Sequence, residues 1–115
     1  MVLRMRLAAY IAVGCVVAAC TVGDGFAAGD TASGRQKALM CQTCHGLDGR
    51  AKIPEAPNLA GQSATYLVKA LTDYRSGARK NEMMSLVGPT LKDQDIADLA
   101  AYYSGIEVTI GPPPK

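Results

Sequence analysis

Two thiols and an imidazole lie within five residues in Cys41-Gln42-Thr43-Cys44-His45. The spacing C-x-x-C-H is the arrangement by which a polypeptide attaches a c-type haem. Thiols three residues apart can add to the two vinyl groups of one porphyrin and form thioethers. The next residue is then held over the iron, so its imidazole becomes the proximal ligand without a search. Three other chemistries compete for these residues. A thioredoxin-like dithiol would want a βαβ context, and no alternating strand pattern accompanies the motif. A zinc site needs a fourth ligand, and beyond Cys41, Cys44 and His45 the chain after residue 28 has no Cys or His. A plain disulfide across so short a loop would constrain little.

The ligand on the other side of the iron is narrowed by elimination. His45 is the single histidine, so two-histidine ligation within one chain is excluded. Met1 and Met5 fall at the extreme N-terminus, and Met40 adjoins the motif and does not reach the opposite face. Met83 and Met84 remain. One of them binds iron and the other fills space, as methionine does readily, and spacing alone does not choose. A histidine and methionine pair suits electron transfer. The soft thioether raises the potential, and two protein ligands leave no open position for a substrate. Oxygen binding and peroxidase chemistry are therefore not expected. No paired carboxylates or nucleophile constellation suggest an enzyme.

Three helices must position these residues. The first is expected over about residues 30–40, rich in Ala, Lys, Gln and Leu. The second follows Ser63 as N-cap and stops at Gly77, with Tyr66, Leu67, Ala70, Leu71 and Tyr74 on one face. The third runs over about 93–104, with Ile96, Leu99, Ala100 and Tyr103 on one face and Asp93 and Asp95 in its first turn. Between them lie two long irregular segments, 46–62 and 78–91. Loops of that length in a small domain are usually functional, and here both would wrap one shared object. Residues 106–115, ending in three prolines, read as a surface tail.

Residues 1–28 read as an export signal. Arg4 and Arg6 precede an apolar run from Leu7 to Ala19, shorter than the roughly twenty residues a membrane span needs. Gly25-Phe26-Ala27 offers small residues for cleavage. A competing reading of Val17-Ala18-Ala19-Cys20 is a lipobox, with Cys20 lipidated and holding the protein to a membrane; ordinary cleavage is favoured. Both readings take the chain out of the cytoplasm, to the periplasm. Without Arg4, Arg6 and Asp24 the 12 basic and 10 acidic residues fall to 10 and 9, a net charge of +1. That balance gives no footprint for nucleic acid. The whole chain holds one Phe and no Trp, a thin core that leaves room for a buried cofactor.

Residues 29–105 resemble the small bacterial class I cytochromes c, nearest to a single-haem domain of the cytochrome c4 type. The resemblance rests on 41–46, on Pro57-Asn58-Leu59-Ala60-Gly61-Gln62, on Asn81-Glu82-Met83-Met84-Ser85, and on 93–103. It implies an all-α class I cytochrome c fold, with three main helices and two long loops around one covalent haem. It further implies that Met84 is the axial methionine and that the Pro57 carbonyl accepts the second ring N–H of His45. The first and last helices should cross near Gly34 and Tyr102 or Tyr103. Val87 stands where the family often has another Met. Lys92 stands where it usually has Ser, so the last helix should be less well capped. Gln62, Arg79 and Lys80 are weaker candidates for a haem propionate. Tyr66, Leu71, Tyr74 and Leu99 are expected to line the haem.

The function so read is one-electron carriage in the periplasm by a monomer. Its partners would be redox proteins: a membrane oxidase or reductase, or a dehydrogenase. A second reading makes the chain the haem subunit of a periplasmic dehydrogenase complex. A third, a haem-based sensor, would need a labile or absent Met ligand.

Overall fold

The structure, a computed structural model, describes residues 28–115. The export signal, the cleavage site within it, Cys15 and Cys20 therefore lie outside the described residues, apart from Ala28. Five helices follow in order: α1 (Thr31–Lys37), α2 (Gln42–His45), α3 (Ala64–Ser76), α4 (Met84–Val87) and α5 (Asp93–Ser104). Among the described residues there is no strand.

Each long helix starts and stops for a local reason. Asp30 caps α1 by accepting the Ser33 N–H at 2.6 Å, and Arg35 and Lys37 suit the negative end of its dipole. The helix then tightens into a 3-10 turn, Ala38–Met40, that delivers the chain to Cys41. Ser63 caps α3 through the Tyr66 N–H, and Gly77 ends it in the left-handed region at φ 81°. Lys92 has no side-chain acceptor to cap α5. Asp95 compensates, its carboxylate accepting the Lys92 N–H at 2.9 Å.

The main packing is α1 on α5, with α3 laid against α5 from the other side. The α1–α5 crossing is close because Gly34 presents no side chain. A Cβ there would overlap the Asp98 carbonyl oxygen and come within 2.7 Å of the Tyr102 Cβ. Beside the crossing, the buried Asp98 carboxylate accepts from the Asp30 N–H at 2.8 Å, Lys37 Nζ at 2.6 Å and Gln94 Nε2 at 2.7 Å. The Lys37 ammonium, then those N–H groups, hold Asp98 down at about 2. Ala38, Leu67, Leu91, Ile96, Leu99, Ala100 and Tyr103 form one buried cluster, with Cys41, Leu47, Leu59, Val68 and Leu71 packed on its edge.

One expectation changes. The second irregular segment contains α4 and a 3-10 turn, Gly88–Thr90, which seats Gly88 against the Tyr74–Arg75 backbone. A single helical turn carries no periodicity to read. The tail, for its part, is anchored where it begins. Ile106 packs against the core, and Val108 lies over Gly61.

Candidate cofactor site

His45 closes the single turn of α2 and its ring is buried, 7% exposed. Its Nδ1 lies 2.9 Å from the Pro57 carbonyl oxygen. A carbonyl can only accept, so Nδ1 carries the proton and Nε2 keeps its lone pair for a metal. Cys41 precedes the same turn and Cys44 lies within it, both as half-buried, unpaired thiols. Burial, and secondarily the neighbouring Cys44, pushes the Cys41 thiol up to about 11. Among the described residues no three His, Cys, Asp or Glu side chains converge to hold a metal ion.

Pro57 reaches His45 because the 46–62 segment folds back on itself. The Gly49 carbonyl accepts from Leu59 N–H at 2.8 Å and from Ala60 N–H at 3.1 Å. Gly49 holds φ 70°, and a Cβ there would meet the Ala60 nitrogen at 2.6 Å, so close return requires glycine. Asn58 Oδ1 accepts the Ala51 N–H, and Lys52 N–H donates to the Cys44 carbonyl, each at 2.8 Å. From α5, Tyr102 donates its hydroxyl to the Leu47 carbonyl at 2.7 Å and Tyr103 to the Gly46 carbonyl at 3.2 Å. Gly61 N–H donates in turn to the Tyr103 carbonyl at 2.9 Å. Burial, then nearby groups led by Cys41, pushes Tyr103 well above the usual phenol range, so it remains a donor.

Met84 belongs to a different part of the chain. It opens α4, which packs on α3, and it is half-buried, whereas Met83 is 55% exposed. Asn81 Oδ1 accepts the N–H of both methionines at 3.0 Å. Gln62 and Lys80 are exposed. Arg79 lies 4.9 Å over the Tyr74 ring and donates to the Tyr66 hydroxyl at 3.2 Å. Leu99 is part of the core, and Leu71 and Tyr74 are half-buried. Tyr66, expected on the buried face, is 47% exposed. It sits in the first turn of α3, where its hydroxyl takes the Arg79 bond at the rim.

Cys41, Cys44, His45 and Pro57 thus come together directly, whereas Met84 lies on α4, which packs on α3. The roles of Gly49, Asn58 and Asn81 have no counterpart in the motif spacing. Asn58 and Gly49 bracket the return of the chain to Pro57, and an Asn two and three residues before Met83 and Met84 is a helix-start signal. The donor set fits a covalent haem: two free thiols three residues apart, an imidazole with Nε2 free, and a half-buried thioether.

Known proteins share this arrangement of sequence and fold. The cytochrome c family model matches residues 31–105. Cytochrome c-554(548) of Halomonas halodenitrificans is 51% identical over 83 residues, 70% of this chain and 100% of that one. Cytochrome c4 of Pseudomonas aeruginosa is 43% identical over 89 residues, 77% of this chain but 44% of that protein. Among solved structures, reduced recombinant cytochrome c4 from Pseudomonas stutzeri superposes with a TM-score of 0.66 at 39% identity, covering 73% of this chain and 49% of that one. The chain therefore spans all of one relative and about half the length of the cytochrome c4 proteins. It belongs to the cytochrome c family, whose domain implies a covalently attached haem c and a role in electron transfer.

Proposed function

We propose that this chain is a periplasmic one-electron carrier with a single haem, bound as thioethers through Cys41 and Cys44. His45 Nε2 and the Met84 sulfur would be the two protein ligands that hold its iron. When bound, haem supplies an iron that gains or loses one electron without breaking a bond. The observation that carries the reading is the 2.9 Å bond from His45 Nδ1 to the Pro57 carbonyl, beside two unpaired thiols. That bond fixes the tautomer and orientation of the ring, so the ligand needs little rearrangement.

Met84 is favoured over Met83 because it is half-buried at the start of α4, while Met83 faces outward. The buried cluster of α1, α3 and α5 excludes water from behind the site, and low polarity favours the less charged, reduced iron. With two protein ligands on the iron no position would be left for a substrate, and no catalytic role is proposed. One C-x-x-C-H motif in the sequence supports one haem. Redox proteins are the proposed partners. Export rests on residues 1–28, and no helix among the described residues is long and apolar enough to cross a membrane.

Expression with haem-attachment machinery, followed by intact mass, tests the attachment. The expected mass is that of the exported chain plus one haem, retained after acid extraction with organic solvent. Loss of haem on extraction, or a mass without haem, contradicts the reading.

A further inference from the structure

α4 is a helix with little reason to exist. It has four residues, too few to offset the cost of nucleating a helical turn, and none of them is fully buried. Its C-terminal end is seated by Gly88 on the α3 backbone, where a Cβ would come within 2.7 Å of the Tyr74 carbonyl carbon. Its N-terminal end carries Met84, which is only half-buried. What holds it is Asn81, whose side-chain oxygen accepts the N–H of Met83 and of Met84, both at 3.0 Å. The hold is reciprocal: Asn81 N–H donates to Ser85 Oγ at 2.9 Å, and Ser85 N–H donates to the Asn81 carbonyl at 3.0 Å. The two amides that Asn81 satisfies are among the orphan donors every helix start presents, and one of them belongs to Met84 itself.

We propose that Asn81 is a positioning residue for the sixth ligand, fixing the Met84 backbone so that its thioether stays committed to the iron. The inference rests on Met84 as ligand. Without the Asn81 oxygen the first turn of α4 frays, Met84 gains backbone freedom, and the sulfur spends more time unbound. Ser85 supports the same clamp from the opposite direction and matters less, because it also keeps its own backbone bond to Asn81.

The test compares the loaded wild-type protein with Asn81→Ala, Asn81→Asp and Met84→Ala. Two properties are read: the far-red absorption band of sulfur-to-iron ligation in the ferric state, and carbon monoxide binding in the ferrous state. Asn81→Ala is expected to raise the carbon monoxide-accessible fraction about fivefold and weaken the band, the effect of losing one helix cap. Asn81→Asp, which keeps an oxygen in the same place, is expected to restore both. A purely structural role would lower the melting temperature of Asn81→Ala yet leave band and carbon monoxide exclusion intact well below melting, and that result overturns the proposal. Met84→Ala separates the two claims. If it keeps the band, the ligand assignment itself is wrong; if it loses the band while Asn81→Ala does not, only the role of Asn81 fails. Should Asn81→Ala not take up haem, Ser85→Ala makes the same test at smaller amplitude. Increased carbon monoxide binding is then expected, and exclusion as complete as in the wild type contradicts the proposal.

Discussion

The 46–62 segment and the 78–91 segment each serve a candidate iron ligand, the first by orienting His45 through Pro57 and the second by carrying Met84, and they are held in opposite ways. The first is tied down over long range. Tyr102, Tyr103 and Gly61 link it to α5, more than forty residues away in sequence, and the Pro57 carbonyl returns across it to His45. The second holds itself together mostly with neighbours: Asn81 with Met83, Met84 and Ser85, and Thr90 with the Val87 carbonyl at 2.7 Å. Reaching further are Gly88 on α3, Leu91, which joins the buried core and accepts from Arg75 at 3.4 Å, and the Arg79 contacts to Tyr66 and Tyr74. Long-range bonds break only when the packing around them opens, whereas a local cap opens with one turn. The histidine side should therefore be rigid and the methionine side the one that yields first.

The largest effect is expected where both sides share a foundation, at the α1–α5 crossing. Gly34→Val places a branched side chain against the Asp98 carbonyl and the Tyr102 Cβ, and should cost about 3 kcal/mol or more. Thermal unfolding checks this, and a melting temperature within a degree or two of wild type would contradict the close crossing. The next test separates the two sides. Tyr103→Phe leaves the Gly46 carbonyl without its buried donor and should cost about 1 kcal/mol. Hydrogen exchange should quicken across 46–49 while the far-red band is unchanged. A weakened band would mean that the two sides are coupled.

Acid sharpens the comparison further. Asp98 is held at about 2 in the folded chain, below the usual value near 4 for an unfolded aspartate. Its contribution is present in full above the unfolded value and is lost as pH falls from there through about 2. Wild-type stability should drop over that window, and Asp98→Asn, already weakened at neutral pH, should show a flatter acid limb in unfolding titrations. The smallest effect is expected from Ser85→Ala, about half a kcal/mol, because the Asn81 amide it serves is exposed and water can replace it.

Much of this arrangement was legible in residue types. Ser63 and Gly77 mark the ends of α3, and Cys41 to His45 announce the attachment chemistry, because those residue types act through their own side chains. What was not legible acts through the backbone or at short range. The Pro57 carbonyl carries no residue signature, and only the family resemblance pointed to it. The α4 turn is too short for periodicity, and its cap is a lone Asn in a segment that reads as loop. The departure at Lys92 suggested a weak start for α5, and Lys92 does lack a capping acceptor; Asp95, three residues on, closes the other half of the capping box by accepting the Lys92 N–H. Tyr66 is 47% exposed and meets Arg79, thirteen residues away, a contact that helical spacing does not register.

The central claim is that Cys41, Cys44 and His45 hold a haem whose sixth ligand is Met84. The most direct measurement is the ferric far-red band in wild type, Met84→Ala and Met83→Ala. The expected result is a band in wild type and in Met83→Ala, and none in Met84→Ala. A band that survives Met84→Ala and vanishes in Met83→Ala would contradict it, and would place the ligand on the side chain that faces outward in this fold.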